Sequence, residues 1–276
     1  MKKILVPCDF SDPAVQAFKF AVEIATQSKG EVILLNVVEV PVMHETVIMP
    51  TLYFEEALFK DMKAQAEKKF SQMKDKWGSG VAVSAVVEFG STTSNIRDFI
   101  KEKKIDLVVM GTHGATGLRE FFIGSNTEKI LRTSNAPVIA IKKSVKVSSI
   151  KNIVFPNSLN EELEELMMHV KELQNFFKAT LHLVYVNTPA QFKRDHATKK
   201  MLKDFAKRYM LKDFTINVYN DIDQEMGVHN FTKEIGGDLV VMATHGRRGL
   251  NHLMSGSIAE DIVNHIECPI WTMKIK

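Results

Sequence analysis

The sequence predicts an α/β protein made of two tandem doubly wound domains, each built on a five-stranded parallel sheet, related by a pseudo-twofold axis. Three observations carry this. The frame Gly111-Thr-His-Gly114, nine residues, Gly124-Ser125 returns 132 residues later as Ala243-Thr-His-Gly246, nine residues, Gly256-Ser257. Each copy follows the same apolar run, Asp106-Leu-Val-Val-Met110 and Asp238-Leu-Val-Val-Met242. Before and after them, strand-like aliphatic runs alternate with segments of helical periodicity, the pattern of a parallel sheet covered on both faces.

Each half opens on a short apolar strand ending at proline, Lys3–Pro7 and Asn152–Pro156. A helix follows in the first half: Ser11 or Asp12 can cap it, Pro13 is tolerated in a first turn, and Ala14, Ala17, Phe18, Ala21, Val22 and Ala25 form its apolar face. Its counterpart starts near Asn160 and carries Leu163, Leu166, Met167, Val170 and Leu173. Second strands follow at Val32–Val38 and Leu181–Val186. A long helix over about 53–76 has the stripe Phe54, Leu58, Met62, Ala66, Phe70, Met73 and Trp77; its copy, about 192–210, is shorter, and 17 residues are missing in and just before it. Third strands at Val81–Val87 and Phe214–Tyr219 lead to short helices near 92–103 and 224–235. After the fourth strand and its glycine loop come helices over about 125–133 and 257–265, then fifth strands at Pro137–Ile141 and Pro269–Met273. The domains span 1–143 and 150–276, with a linker at about 143–150.

Composition excludes several classes. The chain has 276 residues, 45% apolar and 25% charged, with a formal net charge of +3, too small to argue for nucleic acid. No apolar run approaches the roughly 20 residues that cross a membrane. The opening Met1-Lys-Lys-Ile-Leu-Val-Pro7 goes straight into a strand and does not read as a signal peptide. Cys8 and Cys268 lie in different halves, at expected buried strand ends, and suggest reduced thiols in a cytoplasmic protein.

The glycine loop carries the chemistry. In a doubly wound sheet, ligands bind beyond the carboxyl ends of the strands where strand order reverses, here between strands one and four. Gly111 and Gly114 would let backbone approach a phosphate closely. Gly124-Ser125 opens a helix whose unpaired N–H groups and dipole form an anion site, with the Ser125 hydroxyl as a further donor.

The Gly-x2-Gly-x9-Gly-Ser frame, the opening Ile4-Leu-Val-Pro-Cys-Asp9 and the closing Ala136-Pro-Val-Ile-Ala-Ile141 resemble the universal stress protein family, as two copies over nearly the whole chain. The resemblance implies a Rossmann-like fold of the adenine nucleotide alpha hydrolase-like type. It implies an ATP-binding protein of the stress response, with Mg2+ accompanying the nucleotide. In ATP-binding members the frame holds ribose and phosphates, and an aspartate after the first strand holds the adenosine end. Carried over by position, the site is Pro7, Cys8 and Asp9, then Val37 beside the base, then Met110, Gly111, His113, Gly114, Gly124, Ser125 and Asn126. Partners implied are the nucleotide, the two domains for each other, a protein partner and a second copy of the chain. Neither nucleic acid nor membrane is among them.

The second half departs from this pattern. Ser158 stands where Asp9 does, and Ala243 replaces Gly111, so a methyl group is expected where phosphate should approach. It reads as a degenerate copy, or as a different anion site using Arg247 and Arg248. Other signals are weak. His113 and His245 belong to different halves, and His265 with Cys268 finds no second ligand pair at metal spacing. Cys8 reads as a redox sensor or, more simply, a small buried hydrophobe. No Gly-x4-Gly-Lys-Ser/Thr loop is present. The leading function is therefore a nucleotide-binding regulator with the ligand held mainly by the first domain. Two alternatives stand beside it: a slow ATP hydrolase or nucleotidyl-transfer enzyme, and an interaction module that binds no nucleotide. No catalytic residue can be assigned.

Overall fold

The structure, a computed structural model, describes residues 1–39, 51–112, 123–157, 163–244 and 265–275; for 51–55 it describes the backbone alone. The first half runs β1 (Lys3–Pro7), α1 (Asp12–Ser28), β2 (Glu31–Val38), α2 (Thr51–Trp77), β3 (Ala82–Phe89), α3 (Thr92–Lys103), β4 (Leu107–Gly111), α4 (Ser125–Thr133) and β5 (Val138–Ile141). The second runs β6 (Asn152–Pro156), α5 (Glu164–Phe177), β7 (Thr180–Asn187), α6 (Asp195–Arg208), β8 (Phe214–Asn220), α7 (Gln224–Glu234), β9 (Leu239–Thr244) and β10 (Ile270–Lys274). The start of α5 expected near Asn160 and the helix expected over about 257–265, apart from His265, lie outside the described residues.

Among the described residues, ten strands join one sheet in the order β3-β2-β1-β4-β5-β10-β9-β6-β7-β8. Within each half the pairing is parallel; at the seam β5 and β10 run antiparallel, with Ile270 opposite Ala140, Trp271 opposite Ile139 and Thr272 opposite Val138. The two fifth strands thus meet at the seam. Strand order reverses between β1 and β4, and again between β6 and β9.

The same carboxylate fastens the opening strand of each half. Asp106, just before β4, accepts the backbone N–H groups of Lys2 and Lys3 at 2.6 and 2.9 Å. Asp238, just before β9, accepts those of Lys151 and Asn152, both at 2.9 Å. Charge-assisted bonds of this kind fix where β1 and β6 enter the sheet.

The apolar face expected of α1 is buried in full, because α1 lies under the middle of the sheet. Ser11 caps it, accepting the Ala14 N–H at 3.4 Å, with Pro13 in the first turn. The stripe of α2 behaves differently. Ala66, Phe70 and Met73 are buried, whereas Leu58 and Met62 are 47% and 38% exposed. A 27-residue helix is about 40 Å long and overhangs a strand of eight residues, about 27 Å, so its first turns have no sheet to cover.

The linker is docked, not loose. Residues 147–149 form a single 3-10 turn, Val147 and Ile150 are buried, and the Val147 N–H donates to Glu23 at 2.7 Å. A second link crosses the seam: the Leu131 carbonyl of α4 accepts the buried hydroxyl of Thr272 at 3.3 Å.

Replacing Val138 and Thr272 with cysteine should yield an intrachain disulfide on mild oxidation, since directly opposed antiparallel residues fall within the Cα separation a disulfide spans, about 4.4–6.8 Å. Mass spectrometry of the oxidised and reduced chain decides. A folded double variant that stays reduced, or that links only between chains, would show that the seam is wrong.

Candidate nucleotide site

The carboxyl end of β1 is shaped by three local devices. Cys8 continues the ladder by donating its N–H to the Leu35 carbonyl at 2.8 Å, and its own carbonyl accepts from the Asn36 amide at 2.8 Å. Asp9 then turns back on its neighbour: its Oδ1 accepts both the Ser11 N–H at 3.0 Å and the Ser11 hydroxyl at 2.6 Å. Phe10 takes the left-handed conformation, φ 66°, and is held there by its ring packing on Phe70, centroids 4.9 Å apart. The exposed Asp9 carboxylate is therefore positioned by the first turn of α1.

Across the reversal point, Gly111 ends β4 and Gly124 precedes α4. The Gly124 N–H returns to the Thr112 carbonyl at 2.6 Å, and the Thr127 hydroxyl donates to the Gly111 carbonyl at 2.9 Å. These bonds pin the start of α4 to the end of β4. Gly124 caps without a side chain, so the first-turn N–H groups of α4 face outward with no intrahelical acceptor. Glu128 turns along the helix to Arg132, 3.9 Å away, and is not part of the cavity wall.

Between these ends lies a cavity of about 300 Å³, within the range of small-molecule sites. Nine of the eleven residues expected from the sequence line it: Pro7, Cys8, Asp9, Val37, Met110, Gly111, Gly124, Ser125 and Asn126. The other two, His113 and Gly114, lie outside the described residues. Further lining residues were not apparent from sequence. Asn36 interrupts an otherwise aliphatic strand, which was a readable signal. Glu39 and Thr92, joined by a 2.7 Å hydrogen bond, and Ile96 come together only because β2 and β3 are neighbours.

Two expectations change. Gly111 was assigned to phosphate approach, but a Cβ there would lie 2.6 Å from Cβ and 2.7 Å from the carbonyl carbon of Pro13. The missing side chain makes room for α1, not for a ligand. By the same geometry the Ala243 methyl is buried in the core, 1% exposed, and does not obstruct a phosphate. What separates the halves lies at the other end of the site. Asn36 and Val37 are half-buried and face the cavity, whereas their repeat counterparts Tyr185 and Val186 are buried. Helix α7 presses on β7 there: a Cβ on Gly227 would meet Val186 Cγ1 at 2.3 Å. The short connection after β7 folds over the same end, with the Asn187 side chain accepting the Lys193 N–H and the Tyr185 hydroxyl donating to the Gln191 carbonyl. Ser158, His245, Gly246, Arg247, Arg248, Gly256 and Ser257 lie outside the described residues.

Burial pushes the Cys8 thiol from 9.0 up to about 12, so it stays protonated and packs as a small apolar group. Cys268 is raised to about 12 for the same reason, although it is partly exposed and precedes β10 instead of ending a strand. His265 pairs with Glu225. Among the described residues, no group of three or more His, Cys, Asp or Glu is placed to hold a metal ion, and no helix is long and apolar enough to cross a membrane.

A tandem doubly wound chain with a cavity at the β1–β4 switch point and a helix N-terminus at its rim defines a class of two-domain α/β protein. The chain matches the universal stress protein family over residues 1–142 and again over 149–274, and it belongs to that family. Universal stress protein MJ0531 of Methanocaldococcus jannaschii is 34% identical over 145 residues, 52% of this chain and 84% of the relative. Universal stress protein Slr1230 of Synechocystis is 22% identical along 99% of this chain and 100% of its own length, so the tandem arrangement is shared. The crystal structure of a universal stress protein from Archaeoglobus fulgidus has the same fold, with a TM-score of 0.78 and 15% identity over 99% of this chain and 98% of the other.

The raised thiols set a pH dependence. Their folded pKa lies above the unfolded value, so the stabilisation is intact below about pH 9 and is lost as pH climbs toward 12. Chemical denaturation of wild type and Cys8→Ala between pH 8 and 10.5 should show a shallower alkaline decline in the variant. Parallel declines would mean that Cys8 is not buried as described.

Proposed function

We propose that the first half, residues 1–143, binds ATP or a close adenine nucleotide as a regulatory ligand, and that the second half, residues 150–276, holds none. The observation that carries this is the cavity at the β1–β4 switch point, which has acceptors at one end and donors at the other. Asp9 and Glu39 supply carboxylates on the β1–β2 side, suited to ribose hydroxyls and an amino-bearing base. The first turn of α4 supplies N–H groups and the positive end of a dipole, suited to phosphate. Val37, Ile96 and Met110 add apolar walls for a base. Membership of the universal stress protein family supports a role in the stress response.

In this reading ATP is a regulatory ligand. None of the described residues lining the cavity is a lysine, arginine or histidine, so no phosphate clamp or imidazole base stands among them. A Mg2+ ion would arrive on the triphosphate and keep most of its water. The free thiols of Cys8 and Cys268, in different halves, suit a reducing cytoplasm.

Calorimetric titration of the chain with ATP should give one nucleotide per chain. Two equivalent sites would show that the second half has kept its pocket. Ser125→Asp separates ligand binding from folding. An acidic residue in the first turn stabilises a helix by about 0.3–1 kcal/mol, so the melting temperature should hold or rise. The same charge should repel the phosphates and weaken ATP by on the order of tenfold or more. Unchanged ATP affinity would remove the α4 N-terminus from the site.

A further inference from the structure

The outer strands of the sheet, β3 and β8, each have a neighbour on one side only. Two bonds fix which way the backbone groups of β8 point. Leu181 donates its N–H to the Asp213 carbonyl at 2.9 Å, and Asp221 donates to the Asn187 carbonyl at 3.2 Å. With the unbroken parallel register between them, the odd-numbered residues of β8 exchange bonds with β7. The N–H and C=O groups of Phe214, Ile216, Val218 and Asn220 therefore point away from the sheet. Among the described residues, nothing in the chain bonds to them.

Such edges are normally blunted by charge, proline or a bulge. The β8 run, Phe-Thr-Ile-Asn-Val-Tyr-Asn, has no acidic or basic residue, no proline and no break in register. β3 is less open, since it carries Glu88 and its Phe89 carbonyl accepts the Asn95 amide at 3.4 Å.

The surroundings of β8 add a second observation. Ile222, Met210 and Phe192 are 76%, 75% and 70% exposed, the three most exposed large apolar side chains among the described residues. Met210 comes just before β8 and Ile222 just after it. Phe192 joins the Ile222 end, where its neighbour Gln191 accepts the Gln224 amide at 2.9 Å. Apolar side chains thus stand at both ends of the open strand, where a bound strand would cover them.

We infer that β8 is a docking edge for a second copy of this chain, paired antiparallel with β8 of that copy about a twofold axis at Asn217. This register sets outward groups against outward groups. Ile216 exchanges both bonds with Val218 of the second copy, and Phe214 does so with Asn220. The β-branched side chains of Ile216 and Val218 become cross-strand neighbours. Met210 of each copy is brought to the end that carries Ile222 of the other, as an isologous contact requires. Lys212 meets the end that carries Asp221 and Asp223, and Asp213 is the one acid it brings along. The bonds alone would accept any extended chain; the match at both ends selects a second copy. The same device, antiparallel edge on edge, already joins β5 to β10 within the chain.

The test is sedimentation velocity of the full-length chain across the micromolar range, joined to oxidative cross-linking. Wild type should dimerise reversibly. The Val218 N–H points away from β7, so Val218→Pro leaves the β7 ladder whole and is tolerated on an edge strand. It removes two bonds of the symmetric pair and should weaken the dimer by on the order of tenfold or more. If circular dichroism shows that variant unfolded, Met210→Lys with Ile222→Lys changes only exposed side chains and should weaken the dimer likewise. Asn217→Cys places two thiols across a non-hydrogen-bonded pair, with Cα atoms about 4.5 Å apart. Mild oxidation should give a disulfide-linked dimer that wild type does not form. A wild-type chain that stays monomeric overturns the inference. So does a dimer that the folded variants leave intact and in which Asn217→Cys stays reduced, because the copies then meet elsewhere.

Discussion

An edge strand carries a row of unpaired N–H and C=O groups, and β5 and β10 each close their half on such an edge. Pairing them antiparallel satisfies both rows and turns two five-stranded sheets into one of ten. The seam is among the most buried parts of the chain: Ile139 and Trp271 face each other at 0% and 1% exposure. Much else follows from it. Antiparallel pairing places the two switch points on either side of a common axis, and it sets α4 of the first half against Thr272 of the second. Helix α4 of the first half is thereby braced by the sheet of the second.

Duplication left the two halves free to diverge at their carboxyl ends while the strand starts stayed alike. The Asp106 and Asp238 clamps are equivalent bond for bond. At the opposite end the 17-residue difference between the β2–β3 and β7–β8 connections changes what covers the sheet. In the first half Asn36 and Val37 remain accessible beside a cavity. In the second, Gly227 lets α7 settle onto Val186, and the shorter chain bonds back over β7. Val186, at 6% exposure, is fully part of the packing there.

Most of the architecture was legible because its signals are local. Apolar runs mark the strands, Ser11 and Pro13 mark the start of α1, and the repeated glycine frame marks the equivalence of the halves. The site was legible where a motif is contiguous, as at Pro7–Asp9 and Gly124–Asn126. It was illegible where residues from different strands converge: Glu39 and Thr92 lie 53 positions apart and meet only through the β2–β3 pairing. The role of Gly111 was misread for a related reason. Sequence shows that a side chain is missing but not what occupies the space, and here it is Pro13. The stripe of α2 failed at its first turns because periodicity describes a face and says nothing of whether the sheet extends far enough to cover it.

Hydrogen exchange of the intact chain with and without ATP tests the central claim, that one of two homologous halves is a nucleotide site and the other has become part of the scaffold. ATP should slow exchange in segments that build the first cavity, residues 7–12, 36–39, 107–112 and 123–128. Their described counterparts in the second half, residues 156–157, 185–188 and 239–244, should exchange at the same rate in both conditions. Comparable protection in both halves, or protection confined to the second, would contradict the account.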